Sequence, residues 1–150
     1  MSQTLCVIVA SIGRASLLVQ TLANLTHQTR RPEHVLVVSV TPDDVVGVDA
    51  IAALPIEITF AEKGLPVQRN AGLRHMEGKS DIIAFFDDDF VPAPDYLEQL
   101  DRLFATRPDI VGATGRVIAD GIKSRGISFN QSLRLIAEDI PPFTPTERKM

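Results

Sequence analysis

Three adjacent carboxylates, Asp87, Asp88 and Asp89, are the residues of this chain best suited to chemistry. They follow residues 82–86, an uninterrupted apolar run that is typical of a buried strand. Like charges at such short range destabilise a fold unless a positive charge lies beside them. Mg²⁺ and Mn²⁺ bind through one or two carboxylates together with substrate phosphates. The triplet therefore predicts a divalent-metal site, with a solvated acidic loop as the alternative.

Two arginines are the candidate partners of an anion at this site. Arg14 and Arg69 each lie near the start of a predicted helix. A guanidinium group forms charge-assisted hydrogen bonds to phosphate oxygens, and a helix amino terminus also attracts anions. The alternative for Arg69 is a surface salt bridge with Glu62 or Glu77.

The elements that must position these residues alternate along the chain. Apolar runs predict strands at residues 5–10, 35–38, 56–60 and 81–86, and a further strand at 110–113 that continues through 117–118. Helical spacing of apolar residues and local start signals predict helices at 15–28, 49–54, 67–76 and 131–137, and a helix that Asp95 caps with Glu98 three residues on.

Repeated strand–helix–strand units predict an α/β sandwich with a mostly parallel sheet and helices on both faces. In such sheets the ligand site lies beyond the carboxyl ends of the strands. Polar residues follow three of the predicted strands, at 11–14, 39–44 and 87–89. We expect these segments to form the walls of one crevice.

Composition limits the function classes. The chain has 150 residues, 45% of them hydrophobic and 23% charged, which suits one soluble domain of ordinary size. A net charge of −4 gives no basic footprint for nucleic acid. The single cysteine, Cys6, is expected to be a buried apolar residue in a reducing compartment. The apolar runs are far shorter than the roughly 20 residues that span a bilayer, so no transmembrane segment is predicted.

Taken in order, these motifs resemble the nucleotide-sugar-binding half of family 2 glycosyltransferases, which have the GT-A fold. The resemblance covers residues 4–118, and it implies a Rossmann-like, three-layer α/β/α sandwich for that donor-binding core. Its matching segments are residues 7–14, 28–29, 35–39, 68–73, 82–89 and 92–97.

The resemblance also implies roles for single residues. The acidic triplet corresponds to the family's D-x-D motif, with Asp89 and Asp87 as ligands of Mn²⁺ or Mg²⁺ and Asp88 facing the ribose or the donor sugar. Arg69 approaches the donor nucleotide, and Asn70 braces that loop. The complete set of implied donor-binding residues is Ser11, Arg14, Ser39, Arg69, Asn70, Asp87 and Asp88.

Two departures from the family pattern leave the nucleotide and the catalytic base unassigned. Where the family often has an acid after the second strand, this chain has Ser39, and its acids come later at Asp43 and Asp44, so the nucleotide stays open. The family's catalytic base is a carboxylate well beyond the D-x-D motif. In the family this carboxylate usually belongs to a Glu-Asp pair at a helix start. The only such pair here, Glu138-Asp139, comes early, so we expect the base to lie outside this chain and leave the catalytic residues unassigned.

The chain is therefore expected to be a fragment. Residues 119–150 are expected to be the start of an acceptor region, incomplete or partly disordered. The implied reaction is metal-assisted, inverting transfer of a sugar to a hydroxyl of a glycan, lipid-linked or other acceptor. Such transfer serves polysaccharide or cell-envelope glycan synthesis in the cytoplasm, which leaves peripheral association with the membrane's cytoplasmic face open.

Two other functions stay open on the sequence. The first is a binding module for nucleotide-sugar and metal that has no turnover. The second is a sugar nucleotidyltransferase, although those enzymes usually carry a Gly-rich, Arg- and Lys-bearing loop where this chain has only Ile12-Gly13-Arg14. A dinucleotide oxidoreductase is disfavoured because no Gly-x-Gly-x-x-Gly follows the first strand.

Overall fold

The computed structural model describes residues 3–122 and 124–139. They fall into two units that divide between Gly115 and Arg116, whereas the predicted boundary lies three residues later. The second unit contains one helix, α4 (Phe129–Glu138), which confirms the helix predicted at 131–137. The elements of the first unit are β1 (Leu5–Ala10), α1 (Ala15–Leu25), β2 (His34–Ser39), β3 (Ile56–Phe60), α2 (Leu65–Met76), β4 (Ile82–Asp87) and α3 (Tyr96–Thr106).

The four strands form one parallel sheet in the order β3-β2-β1-β4. Val7 of β1 lies between Val35 of β2 and Ala84 of β4 in the register of the sheet. The strand order reverses at β1, because β2 and β3 extend the sheet to one side and β4 to the other. In open α/β sheets this reversal opens a crevice at the carboxyl ends of the strands. The crevice therefore lies between the ends of β1 and β4.

Apolar side chains fill both sides of the sheet, and helices cover both sides. On one side α1 and α3 pack against alternate residues of β1, β2 and β4, including Val7, Val35 and Phe86. On the other side the next residues along, such as Ile8 and Leu36, form a smaller cluster with Met76 of α2. Because β1 and β2 are covered on both faces, their sequences are apolar without alternation. These layers confirm the predicted three-layer α/β/α sandwich.

Glycine allows α2 to lie directly on the sheet. A Cβ atom at Gly72 would come within 2.8 Å of Ile8 Cγ2 and 3.3 Å of Val38 Cγ2. Since any side chain there would meet these two methyl groups, glycine sets the helix-to-sheet distance.

Two predicted elements are wrong. Residues 110–113 and 117–118 form no strand, and they pair with no strand in the described ranges. Val111 and Val117 are 88% and 69% exposed, so the apolar residues that suggested a strand cover no core. The helix predicted at 49–54 is replaced by a 3₁₀ turn at Val48–Ala50, after which the chain turns to place Leu54 in the core.

β4 is less buried than its apolar run predicted. It lies at the edge of the described sheet, and its residues alternate between buried and more exposed positions. Phe85 is 40% exposed because the α2 side of this edge strand is only partly covered.

Candidate functional site

Asp88 is the buried anchor of the acidic triplet. Its side chain is 2% exposed. Ser11 Oγ donates to Asp88 Oδ2 at 2.7 Å, Arg14 Nε donates to the same oxygen at 3.2 Å, and Arg14 Nη2 pairs with Oδ1. Thr21 on α1 donates to the backbone oxygen of Asp88 at 2.6 Å. Burial raises the pKa of Asp88, while the hydrogen bond from Ser11 and the charge of Arg14 act in the opposite direction.

The two flanking carboxylates are exposed: Asp87 is the last residue of β4, and Asp88 and Asp89 form a turn, so the triplet is not extended as the sequence suggested. Asp87 and Asp89 each have a side chain that is 55% exposed. Arg69 Nη2 lies 3.0 Å from Asp87 Oδ1, and Arg14 Nη1 lies 3.2 Å from Asp89 Oδ2. The two arginines thus supply the positive charge that the triplet needs. Arg69 pairs with Asp87, which differs from the alternatives that the sequence suggested.

Arg69 reaches the triplet from the first turns of α2. Its guanidinium carbon lies 5.4 Å from the centroid of the Phe85 ring, within the range of a cation–π contact. The preceding residue, Gln68, is buried, and its Nε2 donates to the backbone oxygens of Ser11 at 3.1 Å and Val38 at 2.8 Å. Gln68 therefore fastens the start of α2 to the ends of β1 and β2 and fixes the position from which Arg69 extends.

Asp44, which the sequence did not single out as a site residue, joins two walls of the crevice. Its Oδ1 accepts the amide of Gly13 at 2.6 Å, and its Oδ2 accepts the amide of Thr41 at 2.8 Å. The positive φ of Gly13, +67°, is a conformation that favours glycine. The hydrogen bonds from Gly13 and Thr41 hold the pKa of Asp44 below its usual value. Asp44 thereby ties the loop after β1 to the turn after β2.

Gln28 orders the segment that follows the triplet. This buried side chain donates from Nε2 to the oxygen of Ala93 at 2.7 Å, and its Oε1 accepts the amide of Leu97 at 3.1 Å. Asp95 precedes α3 as predicted, but its carboxylate does not cap the helix; it accepts a hydrogen bond from Gln99 at 3.2 Å. Gln28 instead satisfies an amide in the first turn of α3.

The structure brings most of the predicted donor-binding residues together. Ser11, Arg14 and Arg69 contact the acidic triplet or its immediate supports. Ser39 ends the neighbouring strand β2, is fully buried, and has a hydroxyl that makes no hydrogen bond within the part of the chain that the structure describes. Asn70 lies exposed on α2. Contact of these residues with a donor stays a prediction.

The outward carboxylates fit a metal that shares its ligands with phosphate. Among residues 3–122 and 124–139, no group of three or more His, Cys, Asp or Glu side chains is placed to hold a metal ion. Mg²⁺ and Mn²⁺ sites at phosphates need only one or two carboxylates, and the remaining ligands come from phosphate and water. Asp87 and Asp89 fit that donor set and do not fit a site in which protein side chains alone surround the ion.

The Glu138-Asp139 pair lies in the second unit, at the end of a helix. Glu138 is the last residue of α4, and Asp139 follows it and pairs with Arg116. The family pattern places such a pair at a helix start, so this geometry agrees with leaving the catalytic base unassigned. Residues 140–150 of the expected acceptor segment lie outside the described residues.

A parallel sheet that reverses at β1, with polar groups gathered where β1 and β4 end, defines an α/β protein of the GT-A class. The sequence profile of glycosyl transferase family 2 matches residues 6–139. The chain belongs to this family, which confirms the resemblance. The sequence matches no curated relative. In the part of the chain that the structure describes, no helix is long and apolar enough to cross a bilayer.

Solved structures with this fold are longer than the chain. S. aureus TarS superposes with a TM-score of 0.61 at 20% identity, over 77% of this chain and 23% of TarS. The mannosyltransferase PcManGT from Pyrobaculum calidifontis, in complex with GDP-Man and Mn²⁺, gives 0.60 at 23% identity over 70% of this chain and 33% of the other. TarS 1–349 in complex with UDP-GlcNAc gives 0.59 at 18% identity over 79% and 38%. The chain thus spans 23% to 38% of these proteins.

Proposed function

We propose that the first unit is the donor-binding part of a metal-assisted glycosyltransferase that takes its sugar from a nucleotide-sugar. One observation carries the proposal: a triplet of aspartates lies at the reversal point of the sheet, paired with arginines that come from the starts of α1 and α2. The complexes of similar structures with UDP-GlcNAc and with GDP-Man and Mn²⁺ support the same ligand class.

Each residue of the site has a role in this proposal. Asp89 and Asp87 hold the metal, which supplies Lewis-acid stabilisation of the diphosphate leaving group when bound. Arg14 and Arg69 bind the diphosphate oxygens by charge-assisted hydrogen bonds. Asp88, through Ser11 and Arg14, fixes the strand end that carries the two ligands.

The remaining predicted residues contact the rest of the donor. Ser39 ends β2 beside the crevice, and its buried hydroxyl contacts the nucleoside end once the segment after β2 moves; Ser11 and Asn70 flank the crevice. Because Ser11 and Arg14 engage the buried carboxylate of Asp88, the ribose or the donor sugar lies beside the strand end that Asp88 fixes and reaches its carboxylate only if Arg14 moves.

We place the acceptor site and the general base outside the described residues. We propose a hydroxyl acceptor on a glycan or lipid-linked glycan, an inverting displacement, and a cytoplasmic location at the membrane surface. Family membership supports this acceptor, this displacement and this location.

Binding of nucleoside diphosphate tests the proposal. Thermal unfolding is measured with UDP and with GDP, each with Mn²⁺ or with EDTA. At about a hundredfold excess over Kd, a ligand that binds only the folded state adds about 2.7 kcal/mol, which raises Tm by several degrees. The rise is expected with Mn²⁺, and it should be lost in Asp89→Asn. Asp109→Asn, which changes an exposed acid after α3, is the matched control. A wild-type Tm that neither nucleotide raises, or an undiminished rise in Asp89→Asn, contradicts the proposal.

A binding module without turnover is the second candidate. It is favoured by the position of Glu138-Asp139 at a helix end. Release of UDP from UDP-GlcNAc or of GDP from GDP-Man, measured with the same chain and Mn²⁺, separates the two candidates. Binding without release supports the module.

A further inference from the structure

We propose that Arg14 and Arg69 are exchangeable counter-ions of the acidic triplet. Without ligand they neutralise the carboxylates; when a divalent metal and a nucleoside diphosphate bind, the metal takes Asp87 and Asp89 and the arginines transfer to phosphate. This inference rests on the proposed function and adds a property to it: the same arginines oppose binding of the metal alone and favour binding of the diphosphate.

The competition follows from shared oxygen atoms. Both carboxylates that fit a metal already accept a guanidinium hydrogen bond, Asp87 from Arg69 and Asp89 from Arg14. A metal that binds these oxygens must displace the guanidinium groups or share the oxygens with them. Since both carboxylates are 55% exposed, solvent screens these pairs and makes them weak enough to open.

Both arginines are held near the crevice by contacts other than these pairs. Arg69 lies against the ring of Phe85, and its Nε is buried without an acceptor in the described part of the chain. Arg14 keeps two contacts to the buried carboxylate of Asp88 when its bond to Asp89 opens. Each guanidinium group has five N–H donors, so both have donors left for phosphate oxygens.

The charges favour joint binding. The triplet carries three negative charges and the arginines two positive ones, which leaves a net charge of −1. The diphosphate diester of a nucleotide-sugar carries two negative charges, and a free nucleoside diphosphate carries about three at neutral pH. A divalent metal alone changes the net charge to +1, and the diester alone changes it to −3. Together they restore −1. The negative net charge therefore opposes a diphosphate alone, and a bound metal, which makes the net charge positive, favours it. The two arginines lower the attraction of the carboxylates for the metal alone.

The test uses Arg69→Ala, because removing Arg14 would leave the buried Asp88 without its counter-ion. Calorimetry with Mn²⁺ alone should show tighter binding by Arg69→Ala than by the wild type, by about three- to tenfold. Calorimetry with UDP or GDP at saturating Mn²⁺ should show weaker binding by Arg69→Ala, by about ten- to a hundredfold.

Two further variants make the result specific. Arg69→Lys keeps the charge without the planar fork and should give intermediate affinities. Arg74→Ala removes a positive charge from the same helix, about 7.5 Å further along its axis, and should bind both ligands within about twofold of wild type. Thermal unfolding of each variant checks that it is folded.

The two proposals fail separately. If the wild type binds UDP or GDP with Mn²⁺ but Arg69→Ala binds Mn²⁺ and the nucleotide as the wild type does, the exchange is overturned and the proposed function stands. If the wild type binds neither nucleotide, the proposed function fails, and the Mn²⁺ measurement alone then decides whether arginine competes with the cation. An Mn²⁺ affinity that is equal or weaker in Arg69→Ala overturns the competition in either case.

Discussion

Ser11 and Ser39 end adjacent strands and are both buried, yet their hydroxyls have different surroundings. The Ser11 hydroxyl donates to the Asp88 carboxylate, whereas the Ser39 hydroxyl makes no hydrogen bond within the described residues. Ser11→Ala should lower the free energy of unfolding by about 1.5–3 kcal/mol, since it removes a hydrogen bond to a charged group. Ser39→Ala should stay within about 0.5 kcal/mol of wild type or stabilise the fold. Urea denaturation of both variants checks this pair.

Nucleotide binding separates the two serines in a second way. If the Ser39 hydroxyl contacts the donor as proposed, Ser39→Ala should weaken UDP or GDP binding although it leaves stability unchanged. A variant that loses neither stability nor affinity argues against a donor contact at Ser39.

Asp44 should make stability depend on pH. Because hydrogen bonds from Gly13 and Thr41 lower its pKa below the ordinary 3.8, the ionised side chain stabilises the folded state fully above that value. This contribution is lost as the pH falls through the lowered pKa. Asp44→Asn turns one acceptor oxygen into an amide donor and should cost about 1–3 kcal/mol at pH 6. Urea denaturation should show the difference from wild type shrinking below pH 3.8.

Asp43→Asn is the matched control for this measurement. Asp43 is the exposed neighbour of Asp44 and makes no side-chain hydrogen bond within the described ranges. Its substitution should change stability little at either pH. A constant difference between wild type and Asp44→Asn across the acid range would contradict the role given to Asp44.

Residue types and strand ends predicted which side chains gather at the site, but not which of them form hydrogen bonds with each other. Parallel strands bring their carboxyl ends to one edge, so residues near 11, 39 and 87 had to meet. The arginine–aspartate pairs join residues 18 to 75 positions apart, and they depend on the reach of long side chains. The buried anchor Gln68 carries no local signal of its role, because its partners are backbone groups of distant segments. Asp44 has a local signal in its capping box with Thr41, but its bond to Gly13 joins a distant segment and is not visible in the sequence.

At the scale of elements, the contact of α2 with the sheet leaves the least space for a larger side chain. Gly72→Ala forces a methyl group against Ile8 and Val38 and should destabilise the fold by about 1–2 kcal/mol, after the better helix propensity of alanine is counted. Gly112→Ala is the control, since its Cβ would meet nothing within 4 Å. Chemical denaturation compares the two. Equal stabilities would mean that α2 moves away from the sheet without cost.

The sequence predicted all four strands of the sheet well, including the exposed β3, and it predicted the segments 49–54 and 110–118 badly. β1 and β2 carry apolar residues on both faces, so both faces must be covered by other elements. Residues 110–113 have the same residue types, yet a strand needs a partner, and sequence pattern does not say whether one is present. β4 was predicted from its apolar run. That run does not show that one face of the strand is partly open or that Phe85 is exposed.

At the scale of the whole molecule, the first unit should fold without the second. Both clusters of buried apolar side chains consist of residues up to 104, and every residue of the proposed donor site lies at or before Asp89. A chain of residues 1–115 should therefore unfold cooperatively and keep its response to Mn²⁺ with nucleotide. Circular dichroism and thermal unfolding of the two chains measure this. Loss of the cooperative transition in the shortened chain would contradict the division.

The position of β1 between β2 and β4 has a consequence for synthesis. Its register pairs Val7 with Val35 of β2 on one edge and with Ala84 of β4 on the other. The partner strand on the first edge is synthesised early, whereas the partner on the second edge is synthesised dozens of residues later. Contacts so distant in sequence form late and slow the search for the native topology. A nascent chain that has reached only β3 exposes an open edge of its central strand to other chains. That edge stays open until translation delivers β4.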